Sequence, residues 1–118
     1  MFYASTVLAA FSVVVLALLS ACSHAQTEAE NLITDGRYIA ETHCASCHAI
    51  GATGACPLAE APAFAQIGQL YNFPVLEEEL LAGVGVGHPP MPHFQFPPRG
   101  VDALLAYMRN VQAQGPAR

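Results

Sequence analysis

Hydrophobic positions divide the chain into one continuous apolar run and several segments of helical periodicity. Val7 to Leu19 is almost wholly apolar, whereas residues 26–31 are polar. Beyond them, small and apolar residues recur at steps of three and four, which is typical of one face of a helix. That face is formed by Leu32, Gly36, Ile39, Ala40 and His43. Thr34 and Asp35 are suitable N-cap residues, so the pattern predicts a helix that starts there and continues through residues 44–48.

The rest of the chain alternates loops with shorter helical patterns. Residues 49–63 are rich in Gly, Pro and Ala, which predicts a loop. Short helices are predicted over residues 64–71 and 75–82, because the proline between them ends one helix and suits the first turn of the next. Residues 101–112 carry apolar side chains at helical spacing with charged residues opposite, which predicts an amphipathic closing helix. Residues 113–118 are predicted to form a frayed tail.

The chemistry of the chain concentrates in Cys44-Ala45-Ser46-Cys47-His48. Two thiols three positions apart, followed at once by an imidazole, are the pattern of covalent c-type haem attachment. Each thiol adds to one vinyl group of the haem, and the spacing of Cys44 and Cys47 matches the separation of the two vinyls. His48 is then placed below the iron as its proximal ligand. A haem bound in this way cannot dissociate, which suits a small carrier that works outside the cytoplasm.

Two other chemistries use paired cysteines, namely thioredoxin-like redox pairs and zinc sites. A structural zinc site normally has four protein ligands, and the remaining Cys22 and Cys56 do not complete a second Cys-x-x-Cys pair. The βαβ pattern expected around a disulfide oxidoreductase is not found, so haem attachment is the favoured interpretation. Cys56 is then left without a partner. A small buried hydrophobic residue is the favoured interpretation of Cys56, and an exposed thiol able to form a dimer is the alternative.

The apolar run near the N-terminus predicts a signal peptide over residues 1–25. The run is too short for an ordinary membrane span and resembles the hydrophobic region of a secretory signal. Ser23-His24-Ala25 fits a small-x-small cleavage site, which places the mature start near Gln26 and makes residues 26–33 a flexible lead-in. The first six residues contain no Lys or Arg. That departure leaves open an uncleaved anchor or a misassigned start codon.

A second interpretation of the leader concerns Cys22. Leu19-Ser20-Ala21-Cys22 resembles the lipobox of bacterial lipoproteins, in which the cysteine is acylated and tethers the domain to a membrane. The interpretation favoured slightly over this lipoprotein signal is an ordinary signal peptide that is removed together with Cys22. Under either interpretation the domain is exported to an oxidising compartment, and the expected location is the periplasm.

Charge narrows the range of partners. The 118 residues suffice for one small domain. The formal charge is −5, and every Arg, Asp and Glu lies beyond residue 27. An acidic surface argues against nucleic-acid binding and favours basic protein partners. The chain has no Trp and few other aromatic residues, and a buried porphyrin would supply apolar bulk to such a core.

These features together resemble a class I bacterial cytochrome c over roughly residues 34–112. The likeness is carried by Gly36, Ala40, the Cys44–His48 motif, the loop around Met91 and the C-terminal helix. The resemblance implies a small all-α fold of three to five helices around one covalently attached haem. It also implies that the first and last helices cross closely at Gly36, with Tyr107 packed nearby. The alternative for Gly36 is a role in the helix cap.

The resemblance further implies that Met91 is the second axial ligand. Met91 lies in His88-Pro89-Pro90-Met91-Pro92-His93-Phe94, where prolines restrict the backbone on both sides. A His/Met ligand pair raises the reduction potential of haem iron. Met108 instead falls in a helical pattern suited to core packing. His88 and His93 are the competing ligands, and a bis-His pair would give a lower potential.

A proline in the loop after the motif completes the implied site. A metal-bound imidazole usually donates its other N–H to a nearby acceptor, which fixes the orientation of the ring. In the family that acceptor is a proline carbonyl, and Pro62 matches best, with Pro57 as the rival.

The sequence therefore predicts an exported monohaem cytochrome c that carries single electrons between redox partners and is not an enzyme. We expect a monomer that meets its partner proteins through a weak, transient interface. Contact with a membrane is expected only if Cys22 is lipidated or the leader stays uncleaved. The alternatives are a subunit of a larger dehydrogenase or oxidase, and a haem protein of catalysis or gas sensing in which Met91 is displaceable.

Overall fold

The computed structural model describes residue 24 and residues 26–83 and 91–115. Within these residues there are four helices and no β-strand, which confirms the predicted all-α class with three to five helices. The helices are α1 over residues 26–43, α2 over Phe64–Leu70, α3 over Phe73–Ala82 and α4 over Pro98–Gln114. The chain divides into two compact units, residues 1–31 and 32–118, and the packing below concerns the second.

Parts of the sequence interpretation lie outside the described residues. These are the apolar run Val7–Leu19, Cys22 and the candidate ligand His88. Among the helices that the structure describes, none has the length and hydropathy needed to cross a membrane.

Helix α1 differs from its prediction at both ends. Residues 26–33, predicted as a flexible lead-in, are helical, so Thr34 and Asp35 lie inside the helix and do not cap it. Residues 26–33 contain no Gly or Pro and are rich in Gln, Glu, Ala and Leu, which have good helix propensity. At the other end the helix stops at residue 43, and the predicted continuation through residues 44–48 is wrong.

The chain leaves α1 through a tight turn. The amide N–H groups of Cys44 and Ala45 both donate to the Ala40 carbonyl, at 2.9 and 3.0 Å, and the N–H of His48 donates to the Cys44 carbonyl at 2.9 Å. Ala40 thus accepts one bond from four residues ahead and one from five, a geometry found where helices end. The two cysteines are therefore presented by a turn rather than by a helix.

Prolines account for the differences at the starts of α3 and α4. Helix α3 begins at Phe73 and α4 at Pro98, each with a proline in the first two positions, where the missing N–H has no intrahelical partner to lose. The helical patterns in the sequence predict starts at residues 75 and 101, after the prolines. Helix α4 also continues to Gln114, so the predicted frayed tail is helical over its first two residues.

Helix α4 is the centre of the core. The predicted apolar face of α4 is buried, and Ala103 and Tyr107 are buried as well. Helices α2 and α3 pack against α4, and Phe64 of α2 is among the most deeply buried side chains. Ala103 and Tyr107 lie on a second contact surface of α4, which faces α1.

That second surface meets α1 at Gly36. A Cβ atom built on Gly36 would overlap the carbonyl group of Ala103 and lie 2.8 Å from Cβ of Tyr107. Only a residue without a side chain permits this approach of two helix backbones. The close crossing at Gly36, with Tyr107 beside it, is confirmed, and the alternative of a helix cap is wrong because Gly36 lies in the middle of α1.

We expect Gly36→Ala to lower the free energy of unfolding by about 1–3 kcal/mol, the usual cost of overpacking. This loss is expected although alanine in a helix is favoured over glycine by about 1 kcal/mol. Urea titration measures the free energy of unfolding of the variant, and Gly100→Ala is the matched control. A Cβ on Gly100 would lie 3.4 Å from its nearest neighbours, in ordinary contact, so that variant is expected to be neutral or slightly more stable. Equal stability of the two variants would contradict the close crossing.

Candidate haem site

The loop over residues 49–63 folds back onto the cysteine motif through backbone hydrogen bonds. The N–H of Leu58 donates to the Cys47 carbonyl at 3.1 Å, and the N–H of Phe64 donates to the Ala49 carbonyl at 3.0 Å. The N–H of Ala49 in turn donates to Sγ of Cys56 at 3.2 Å. The loop is therefore fixed on both sides of His48, despite its Gly- and Pro-rich sequence.

His48 is oriented by this loop. Its side chain is buried, with 8% of the residue surface exposed, and Nδ1 lies 2.8 Å from the Pro62 carbonyl oxygen. A carbonyl only accepts, so Nδ1 carries a proton, and the neutral form of the ring in this arrangement has its lone pair on Nε2. Nε2 is then the nitrogen suited to bind a metal. This is the contact that the resemblance implied for Pro62, with Pro57 as the rival.

An apolar cavity adjoins His48. It encloses about 520 Å³ of empty space, part of it open to solvent. Helices α2, α3 and α4 supply six of the thirteen residues that line it, and Cys44, Pro62 and Met91 also line it. The full lining is Cys44, His48, Pro62, Phe64, Ile67, Tyr71, Leu76, Leu80, Met91, Phe94, Phe96, Leu104 and Met108.

A second cavity of about 380 Å³ lies beside the first and shares part of its lining. The shared residues are Cys44, His48, Met91 and Phe94, and the second cavity adds Cys47. The structure thus brings together every residue that the sequence predicted to bind haem, from the turn after α1 and from the loop before α4. Cys44 and His48 are 43 or more positions away from Met91 along the chain, so only the fold can place them together.

The three described cysteines are free thiols. Cys44 is buried, and its pKa is raised to about 11, first by burial and then by the neighbouring Cys47. Cys47 is half-buried. Cys56 is also half-buried and accepts the Ala49 N–H. It is therefore neither the fully buried hydrophobic residue that was favoured nor a fully exposed thiol.

Met91, His93 and Met108 differ in exposure and in whether they line the two cavities, which distinguishes them as candidates for the second axial ligand. Met91 is half-buried and lines both cavities. His93 is exposed, lines neither of them, and donates from Nδ1 to the Gly83 carbonyl at 3.0 Å. Gly83 ends α3 in the left-handed conformation, with φ at 74°. Met108 is buried in the core, as predicted, but it also lines the larger cavity.

Sequence reasoning missed the aromatic part of the site. Phe94 lines both cavities, and Phe96 and Tyr71 line the larger one. Phe94 and Phe96 stack with ring centroids 5.8 Å apart. The sequence signal that could have identified Phe94 and Phe96 is their spacing of two residues in an extended, proline-rich segment. This spacing places both phenyl rings on one side of the chain.

The donor set fits a haem better than a metal ion alone. Among the described residues, no group of three or more His, Cys, Asp or Glu side chains is arranged to hold a metal ion. What the site does combine is a single oriented imidazole, a thioether, two thiols and an extensive apolar lining. A porphyrin supplies four ligands to its own iron and needs only axial donors and an apolar pocket from the protein.

Comparison with known proteins agrees with this geometry. The family model for Cytochrome c matches residues 33–112, a stretch that contains every residue of the site. The chain therefore belongs to the cytochrome c family, whose members generally carry electrons with haem iron. No curated protein and no solved structure matched the chain significantly.

The burial of Cys44 predicts its reactivity in the haem-free protein. The thiolate is the nucleophile, and with a pKa of about 11 it is scarce at neutral pH. We expect alkylation of Cys44 by iodoacetamide to be slow at pH 8 and to accelerate up to about pH 11. An ordinary thiol, with a pKa of about 8.5, would reach its plateau well below that. Residue-resolved mass spectrometry measures the alkylation rate of Cys44, and the urea-unfolded protein is the control. Equal rates in the folded and unfolded states at pH 8 would contradict the burial of Cys44.

Proposed function

We propose that this protein is an exported class I monohaem cytochrome c that carries single electrons, with His48 and Met91 as the axial ligands of its iron. The observation that carries the proposal is an apolar cavity lined by Cys44, His48 and Met91, in a chain that belongs to the cytochrome c family. When bound, the haem supplies an iron atom that accepts and releases one electron. The roles of the chain are to hold, orient and shield that group.

Each site residue has a distinct role in this proposal. Cys44 and Cys47 would attach the haem through two thioether bonds, so the group would be retained however often its charge changes. His48 would bind the iron through Nε2, because the hydrogen bond to Pro62 keeps a proton on Nδ1. Met91 would supply a thioether sulfur, which raises the reduction potential relative to a second imidazole. With His48 and Met91 both bound to the iron, no position would be open to a substrate, and we therefore propose that the protein is not an enzyme.

The apolar lining affects the electron chemistry as well as binding. Leu76 and Leu80 of α3 and Leu104 of α4 are buried, and they line the larger cavity. Apolar surroundings exclude water and lower the local dielectric, which controls the potential of a redox centre. A rigid core also limits the structural change that accompanies electron transfer, because packed side chains have little room to move.

The proposed setting is the periplasm, with residues 1–25 as the export signal. The acidic net charge of −5 supports partners with basic surfaces. We propose that the protein is a monomer that binds such partners weakly and briefly, since turnover requires rapid release. No role in nucleic-acid binding is proposed, and a membrane tether is proposed only for a form with a lipidated Cys22 or an uncleaved leader.

If Met91 is the iron ligand, replacing it should change the spectrum and the potential, whereas replacing Met108, the other methionine of the larger cavity, should not. Met91→Leu is expected to abolish the weak long-wavelength ferric absorption of a sulfur–iron bond. We also expect the potential to fall on the order of 0.1 V, within the roughly 0.8 V range that axial ligation spans. Met108→Leu makes the same chemical change in the core and should preserve both properties. Absorption spectroscopy and redox titration measure them. If the wild-type protein lacks the sulfur–iron band, a displaceable or absent ligand is indicated instead.

Covalent attachment and export are tested together by the intact mass of protein produced with cytochrome maturation machinery. We expect one haem added and a chain starting near Gln26; a chain starting at an acylated Cys22 would indicate a lipoprotein. In Cys44→Ala/Cys47→Ala, haem should become extractable by acidified organic solvent. Cys56→Ala, which removes a thiol outside the motif, should leave attachment unchanged. Haem that remains covalent in the double variant would contradict attachment through the two thioethers.

A further inference from the structure

An aromatic cluster joins the two parts of the chain that supply the proposed ligands. His43 is the last residue of α1 and directly precedes Cys44. Its ring lies 5.5 Å from the ring of Phe94 and 5.7 Å from that of Phe96, measured between centroids. The interplanar angles are 59° and 65°, so the imidazole meets both phenyl rings in a tilted, edge-on manner. Edge-to-face and offset stacked arrangements are the favourable ones for aromatic pairs.

The two phenylalanines belong to the segment that carries Met91. Phe94 follows Met91 by three residues, and both line the two cavities of the site. Phe94 and Phe96 stack on each other at an interplanar angle of 21°, so they present one continuous aromatic surface to His43. Met91 and Phe94 are joined by at most about 10 Å of chain, and Pro92 restricts the backbone of that link, so movement of Met91 away from the cavity would pull on Phe94.

We propose that His43 is a positioning residue, whose contacts with Phe94 and Phe96 anchor the Met91 segment to the end of α1 and thereby keep the sulfur at the iron. This inference rests on the proposed function. It explains why an exposed histidine is placed between the haem-attachment motif and the second ligand. The imidazole is neither an iron ligand nor a proton carrier in this role; its ring surface is what matters.

The expected effect follows from the two ring pairs. Each favourable aromatic pair changes an equilibrium constant by roughly 2- to 12-fold. His43→Ala removes both pairs from the state in which Met91 is bound, and so makes the sulfur easier to displace. The affinity of the ferric holoprotein for added imidazole, which competes with Met91 for the iron, should therefore increase at least about 4-fold. His43→Phe keeps an aromatic ring at the position and should stay within about 2-fold of the wild type.

Two control variants separate local anchoring from a general loss of stability. Tyr38 is an aromatic residue of the same helix that is 69% exposed, and Tyr38→Ala should leave the imidazole affinity unchanged. Val111 of α4 is buried and lines neither cavity, so Val111→Ala should destabilise the core without touching the cluster, and it should also leave that affinity unchanged. A rise in affinity in Val111→Ala equal to that in His43→Ala would overturn the proposal, because the effect would then follow global stability.

Phe94→Leu provides a second route to the same result. In a double-mutant cycle, the effects of His43→Ala and Phe94→Leu should be less than additive, because each change removes the same contact. Full additivity, or an unchanged affinity in His43→Ala, would overturn the positioning role while leaving the proposed function intact.

Met91→Leu fixes the reference for the titration, since no sulfur competes in that variant. Imidazole is expected to bind the wild-type protein more weakly than Met91→Leu. If the two bind equally, Met91 is not a ligand, and the proposed ligation and the positioning role fail together.

Discussion

The close contact between α1 and α4 at Gly36 is the constraint on which the rest of the structure depends. It brings two helix backbones so near that the carbonyl of Ala103 occupies the space of a side chain. Because α4 also packs against α2 and α3, this one contact ties the N-terminal helix to the whole core. The end of α1, and with it the Cys44–His48 turn, is thereby held at the edge of the apolar cavity.

Orientation of His48 requires a second constraint, which the loop over residues 49–63 supplies. A loop rich in glycine and proline has little intrinsic structure, and its backbone bonds to Cys47 and Ala49 are what fix it. The Pro62 carbonyl then sets the tautomer and the angle of the imidazole ring. Proline suits the position because it fixes the local backbone while its carbonyl remains available as an acceptor. The loop thus sets the orientation of the His48 ring.

The opposite side of the site is built differently. Met91 lies in a segment without regular secondary structure, so no ladder of backbone bonds positions it. The segment is held by side chains instead: His93 bonds the Gly83 carbonyl, and Phe94 and Phe96 pack beside the cavity. Such an arrangement would suit the soft ligand of modest strength proposed for this position, because neighbouring contacts would help to keep the sulfur in place.

The Cys44–His48 motif and the helical face of α4 could be predicted from the sequence, because both depend on local spacing. The all-α class and the role proposed for Met91 followed from the resemblance to the cytochrome c family. Cys44, Cys47 and His48 are adjacent, and the helical periodicity of α4 is visible in a window of a dozen residues. The position of the crossing was also predictable, since a glycine within a helical face is costly unless a close approach requires it.

Other features depend on the tertiary structure alone. The ring contacts of His43 with Phe94 and Phe96 join segments that are distant along the chain. So does the lining of one cavity by His48 and Met91 together. Local propensities contain no information on which distant surfaces meet. That choice is made by the burial of apolar faces around α4, which is a property of the whole fold.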